Sequence, residues 1–163
     1  LGKIMAISTS QKRGTIKIPQ DQVRVITNYG LEGDAHAGNW HRQVSLLSYQ
    51  KYLDFCTNHA KVCPGEFGEN LLVDGFDFKT FSIGTLFFSK RVILEITQIG
   101  KKCHSHCDIF DRVGHCIMPT EGVFARVVSG GVIHKGDTFE LYQGKDEEGV
   151  FAMAACEAVQ IRV

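Results

Sequence analysis

The stretch VFARVVSGGVIHKGDTFELY, residues 123–142, carries the reading that decides the fold. Val123 to Val128 and Thr138 to Tyr142 are strand-length runs rich in β-branched and aromatic residues, and Gly130-Gly131 and Gly136-Asp137 punctuate them as turns. The same pattern recurs towards the N-terminus. Ile4 to Ile7, Thr15 to Ile18, Val23 to Ile26, Arg42 to Leu47, Leu71 to Val73, Thr85 to Phe88 and Arg91 to Gln98 each read as a short strand. One segment has helical spacing instead: Tyr49 to Asn58, with Ser48 as its cap and Tyr49, Leu53 and Cys56 on one face. No long amphipathic helix interrupts the strands, so a parallel α/β sheet is not expected. The predicted fold is mainly β, a mostly antiparallel β-barrel with one or two short helices, because closure removes the exposed edges of so many short strands.

At 163 residues the chain has room for one domain with a sizeable core. The expected barrel domain spans residues 1–143. Residues 144–163 form a C-terminal tail, polar over Gly144 to Gly149 and then apolar enough to dock on the same domain. Lysine plus arginine and aspartate plus glutamate both number 18, and a domain without excess positive charge is not built for nucleic acid. No uncharged apolar run approaches the roughly 18 residues of a membrane span, and the run Ile4 to Ile7 has no signal-peptide pattern behind it. The expected location is the cytoplasm, where the six cysteines stay reduced and are buried, metal-bound or reactive rather than cross-linked.

The densest chemistry is Lys101-Lys102-Cys103-His104-Ser105-His106-Cys107, with His115-Cys116 close behind. It follows a strand and Gly100, which places it on a loop or strand end. Three readings stand side by side. Lys101, Lys102 and His104 lower the pKa of a neighbouring thiol, which makes Cys103 a nucleophile. Cys103, Cys107, His115 and Cys116 are also ligands of the kind zinc takes, although their spacing is not that of the usual paired knuckles. Or the cysteines simply pack, the reading that fits Cys56, Cys63 and Cys156 best. A second segment, Gly30 to Gly38, sets Gly33, Asp34 and His36 in a glycine-rich turn; the spacing is not a dinucleotide fingerprint. A third, Pro64 to Leu71, holds Glu66, Glu69 and Asn70, fit for acid–base work or for a solvated loop. Arg126, alone in an apolar strand, either faces solvent or binds an anion.

Taken in order, five segments resemble the MOSC domain, the family named for the C-terminal domain of molybdenum cofactor sulfurase. They are GLEGDAHAG (Gly30–Gly38), RQVSLLS (Arg42–Ser48), GEFGENLLVDG (Gly65–Gly75), ITQIGKKCHSHC (Ile96–Cys107) and CIMPTEGVFARVVSGGVIHKGD (Cys116–Asp137). The chain looks like a small stand-alone member without a desulfurase part. The resemblance implies a mostly antiparallel β-barrel and a sulfur-carrying cysteine at Cys103. That thiol would accept sulfur as a persulfide from a cysteine desulfurase, whose pyridoxal phosphate belongs to the partner. It would then deliver the sulfur to molybdenum cofactor, a molybdoenzyme or another metal–sulfur assembly. Some relatives bind molybdopterin, and some act in reducing N-hydroxylated compounds. Many approach the cysteine through Pro-Arg-x-Pro-Cys; here Ile99-Gly100-Lys101-Lys102-Cys103 lacks that arginine and offers Lys101 or Lys102 in its place. The form GKxCHxxC resembles a subgroup found beside molybdopterin-biosynthesis proteins, in which Cys107 or Cys116 becomes a partner thiol.

The leading expectation is therefore a sulfurtransferase-type carrier with Cys103, His104 and Lys101 as catalytic groups. Gly33, Asp34, His36, Glu66, Glu69, Asn70 and Arg126 would form an anionic cofactor's pocket. The alternatives are a molybdopterin-binding module without covalent chemistry and a structural zinc protein using Cys103, Cys107, His115 and Cys116.

Overall fold

The computed structural model describes residues 1–103 and 108–142. In chain order its elements are β1 (Gly2–Thr9), β2 (Ile18–Gln20), β3 (Gln22–Ile26), β4 (Gly30–Leu31), β5 (Val44–Ser48), α1 (Tyr49–Asn58), β6 (Leu71–Asp74), β7 (Leu86–Ser89), β8 (Val92–Ile99), α2 (Asp108–Val113), α3 (Met118–Glu121), β9 (Val123–Ser129), β10 (Gly131–His134) and β11 (Thr138–Leu141). A 3-10 turn at Phe78–Thr80 precedes β7. His104, His106, Cys107, Cys156, the tail and the 143/144 domain boundary lie outside the described residues.

The strands run β11-β7-β8-β9-β5-β6-β1, and β1 pairs back to β11, so seven strands close into a barrel. Its pairings are antiparallel except β5 with β6, whose crossover is carried by α1. The mainly β, mostly antiparallel barrel read from the sequence is the observed architecture, with three short α-helices among the described residues. Two register shifts between β8 and β9 and one between β1 and β6 bend the wall, as bulges do. Period-2 alternation sorts β9: Val123, Ala125 and Val127 fill the barrel interior, whereas Phe124 and Arg126 face outward. Phe124 is covered by a second core in which Tyr52 and Phe55 of α1 meet Phe67, Leu72 and Met118. Arg126 stays exposed.

Helix α1 has the bounds its spacing predicts and Ser48 at its N-cap position, but the Ser48 side chain makes no capping bond and the buried face is Tyr52 and Phe55, with Leu53 exposed. Two strands differ from expectation, each for a tertiary reason. Thr15 to Ile18 is not a strand; β2 begins only at Ile18, because Lys17 turns inward and its N–H bonds to Gly65 O at 3.0 Å. Gly130-Gly131 does not merely separate two strands. It leads into β10, which pairs with β3 in a smaller sheet ordered β10-β3-β4. The chain crosses β3 so closely there that a Cβ on Gly130 would lie 2.4 Å from Val25 O. Among the described residues no helix is long and apolar enough to cross a membrane.

Candidate functional site

A cleft of about 270 Å³ opens where five separate parts of the chain converge, at the small end of ligand sites. Its charged wall is cationic: Arg13 from the loop after β1, Arg42 from the approach to β5, and Lys101 from the loop after β8. His36, Trp40, Phe67 and Phe124 supply the rings, and no carboxylate lines it among the described residues. The Arg13 and Arg42 guanidinium groups lie over the Trp40 ring, 5.0 and 4.7 Å from its centroid. Arg42 also sits 5.5 Å from the Phe124 centroid. Its Nε is buried and finds no hydrogen-bond partner among the described residues.

Behind the wall lies a buried polar network. Lys17 Nζ is 2.6 Å from Asp34 Oδ1, with neither side chain exposed, and 3.1 Å from His36 Nδ1. Asp34 also accepts the N–H of Ser10 at 3.0 Å and of His36 at 3.1 Å. Burial lowers the Lys17 pKa, against the pull of Asp34. Burial and then the Lys17 charge push His36 down to about 4, so its imidazole is neutral at neutral pH. The Trp40 indole N–H donates to His36 O at 2.7 Å, and the two rings stack 6.5 Å apart.

Glu69 and Asn70 serve the frame rather than the wall. Glu69 accepts the N–H groups of Gly65 at 2.6 Å and Phe67 at 3.1 Å, and burial raises its pKa to about 7. Asn70 accepts the Ser45 N–H at 3.0 Å and donates to Ser8 O at 3.0 Å, tying β5 to β1. Glu66 is paired with Arg112 of α2 at 2.7 Å and accepts the Cys63 N–H at 2.8 Å. Gly33 is an exposed turn residue at φ +77°, on the side of a different groove. Arg126 lies directly across from Glu95 of β8 and binds it through Nε and Nη2, both at 2.6 Å, outside the cleft. Of the pocket residues expected from sequence, His36 lines the cleft, and Asp34, Glu69 and Asn70 stand behind it.

Lys101 does line the cleft, and Cys103 is exposed two residues further on. The loop is pinned to α3 by Gly100 N–H to Gly122 O at 2.7 Å and Lys101 N–H to Pro119 O at 3.0 Å. Gly100 adopts φ +67°, and a Cβ there would meet Pro119 O at 2.8 Å, so only glycine lets the chain turn this closely after β8. His104 and Cys107 lie outside the described residues. His115 stacks on both Phe55 and His59, at 5.9 and 5.4 Å, and Cys116 packs against the second core. No group of three His, Cys, Asp or Glu is placed to share a metal ion among the described residues. Cys56 packs half-buried as expected, but Cys63 is exposed at the turn that carries Glu66.

Arg13, Lys17, Trp40 and Arg42 are site residues that sequence reading missed. Arg42 opens one of the family-like segments, which was the available signal. For Lys17 there was none, since a lysine between two isoleucines reads as a solvent-facing strand position.

The family model described as the MOSC domain matches residues 33–140. The chain is 28% identical to protein YiiM of Escherichia coli (strain K12) over 123 residues, 68% of this chain and 54% of that protein. It thus spans about half the length of that curated relative. Among solved structures, YuaD from Bacillus subtilis superposes with a TM-score of 0.73 at 17% identity, covering 87% of this chain and 97% of that one. YiiM from Geobacillus stearothermophilus gives 0.67 at 17% identity, covering 88% and 76%. At these identities the superpositions speak for the fold alone.

Proposed function

The chain belongs to the MOSC domain family, and from that premise we propose that it is a sulfur carrier that loads Cys103 with a persulfide beside an anion-binding cleft. The observation that carries the reading is the position of Lys101: it belongs to the cleft wall, and two residues on Cys103 is exposed. An exposed thiol is open to a donor protein, and its thiolate is the nucleophilic form.

In the loading step the Cys103 thiolate attacks the outer sulfur of a persulfide on a cysteine desulfurase. A new S–S bond forms at Cys103, the donor's S–S bond breaks, and the donor cysteine leaves as a thiolate. No net oxidation occurs. Releasing that sulfur as sulfide takes two electrons. They come from a second thiol that attacks the inner sulfur of Cys103 and ends in a disulfide with it; Cys107 and Cys116 are this chain's own candidates. The acceptor is an anionic substrate, molybdenum cofactor or a molybdoenzyme's metal–sulfur site. Arg13, Arg42 and Lys101 suit a phosphate-bearing or oxyanionic group of such a molecule. Incubation with a cysteine desulfurase and cysteine, followed by mass spectrometry without reductant, tests the reading. One added sulfur is expected on the Cys103 peptide and none in Cys103→Ala; sulfur on another cysteine overturns it.

The all-cationic charged lining, Arg13, Arg42 and Lys101, favours a second reading, a module that binds the anionic molecule without covalent chemistry. In that case Cys103→Ser keeps full function in cofactor assembly while Arg42→Ala loses it.

A further inference from the structure

We propose that Lys17 is a positioning residue: by donating to His36 Nδ1 it fixes the imidazole as the Nε2–H tautomer and makes that edge a hydrogen-bond donor for an oxyanion in the cleft.

An ammonium has three donors and no acceptor. With Lys17 Nζ 3.1 Å from His36 Nδ1, the ring nitrogen facing it can only accept, and the imidazole proton must sit on Nε2. The geometry is held from several sides. Asp34 binds the ammonium through Oδ1 at 2.6 Å and the His36 N–H through Oδ2 at 3.1 Å, so one buried carboxylate sets both partners. Trp40 holds the His36 carbonyl and stacks on its ring. Nε2 has no hydrogen-bond partner among the described residues, and the side chain is one-third exposed on the cleft.

The charged groups acting on the ring are Lys17, Asp34, Arg13 and Lys101, three cations against one carboxylate. Burial and the three cations, against the pull of Asp34, keep the imidazole neutral near neutral pH. The outcome is a wall whose titratable and cationic groups all donate: Arg13, Arg42, Lys101 and the His36 Nε2–H. Such a wall selects a fully ionised oxyanion, which accepts at each contact, and rejects amide or ammonium ligands that bring donors of their own. The use of this donor rests on the anion-cleft reading above; the tautomer does not.

The test uses the full chain, 15N-labelled and free of ligand, and a long-range 1H–15N spectrum of the histidine rings at pH 7. His36 is assigned by the signals lost in His36→Gln. The expected result is a protonated-type Nε2 and an unprotonated-type Nδ1, unchanged down to about pH 5 because the ring titrates near 4. The opposite tautomer, or shifts averaged between the two, overturns the proposal. Lys17→Met is expected to give averaged tautomers and Lys17→Arg, still a donor-only cation, to keep the Nε2–H form. A Lys17→Met protein that keeps the wild-type pattern overturns the role of Lys17, and if that variant does not fold the wild-type spectrum still decides. Titration with inorganic phosphate separates the two readings. Wild type should bind, with His36→Gln weaker by about tenfold, as for a lost hydrogen bond to a charged group. Wild type that ignores phosphate overturns the oxyanion cleft while leaving the tautomer standing.

Discussion

Lys17 Nζ and Asp34 Oδ1 lie 2.6 Å apart with both side chains wholly buried, so the turn at Asp34 is anchored to a segment 17 residues earlier. Two charges removed from water in this way are tolerable only together. Asp34→Ala is expected to lower stability by about 3–5 kcal/mol, the range for leaving one buried charge unpaired. Replacing both, as in Lys17→Met with Asp34→Ala, should cost less than the two single losses combined. Urea denaturation of the four proteins checks this; additive losses would show that the pair is not coupled.

Arg42 and Arg126 make a matched comparison, because only the first lines the cleft. Arg42→Ala should weaken inorganic phosphate binding by about tenfold or more, as expected for charge-assisted contacts. Arg126→Ala removes a half-exposed pair with Glu95 and should leave binding unchanged and stability within about 1 kcal/mol. Calorimetric titration of both variants reads the difference, and equal losses would move the anion site away from Arg42.

The pH dependence of stability has two opposed parts. Glu69 has a folded pKa of about 7 against an ordinary 4.5, so the unfolded chain loses its proton first and stability falls as pH rises between them. His36 has about 4 against 6.5, so the unfolded chain takes up a proton first and stability falls as pH drops through that window. Relative to wild type, His36→Gln should lose ground steadily from pH 4 to 6.5 and then level off. Glu69→Gln should gain ground from pH 4.5 to 7. Melting temperatures across pH 4–8 read both slopes; slopes of the opposite sign would reverse the assignment of protons.

Gly100→Ala places a Cβ 2.8 Å from Pro119 O at a φ of +67°. The strain should cost about 1–3 kcal/mol and shift the loop that carries Lys101 and Cys103. Sulfur loading by a desulfurase, timed by mass spectrometry, should slow more than the change in folded fraction explains. Unchanged loading would separate the Gly100 turn from the thiol's placement.

The thiols also differ in access. Cys63 and Cys103 are exposed, whereas Cys56 and Cys116 are half-buried. Brief alkylation of the native protein should modify Cys63 and Cys103 ahead of Cys56 and Cys116, read peptide by peptide. Early modification of Cys56 would mean that α1 opens from the second core.

The barrel was legible in the sequence because its instructions are local. Val123 to Val128 alternates its faces, Tyr49 to Asn58 repeats at helical spacing, and glycines punctuate the runs between. Those patterns act over a few residues and need no partner to be read. Lys101 and His36 were legible as chemistry for the same reason, since each stands in a dense polar segment. Strand β10 was not, because two glycines that resemble a turn pass close against β3.

Sequence by itself therefore determined the fold class, the position of α1, the family and the polar segments from which a site would be built. Only the tertiary structure decided which members of those segments meet. Arg126 and Glu66 find partners of their own at Glu95 and Arg112, while Arg13, Arg42, Lys101 and His36 share one cleft. The reason is physical: charge pairing and burial depend on distances across a closed barrel, and closure brings residues 13 and 101 to the same wall. A lysine between two isoleucines carries no mark of being buried. Asp34 and His36, waiting across the turn, make Lys17 an interior residue.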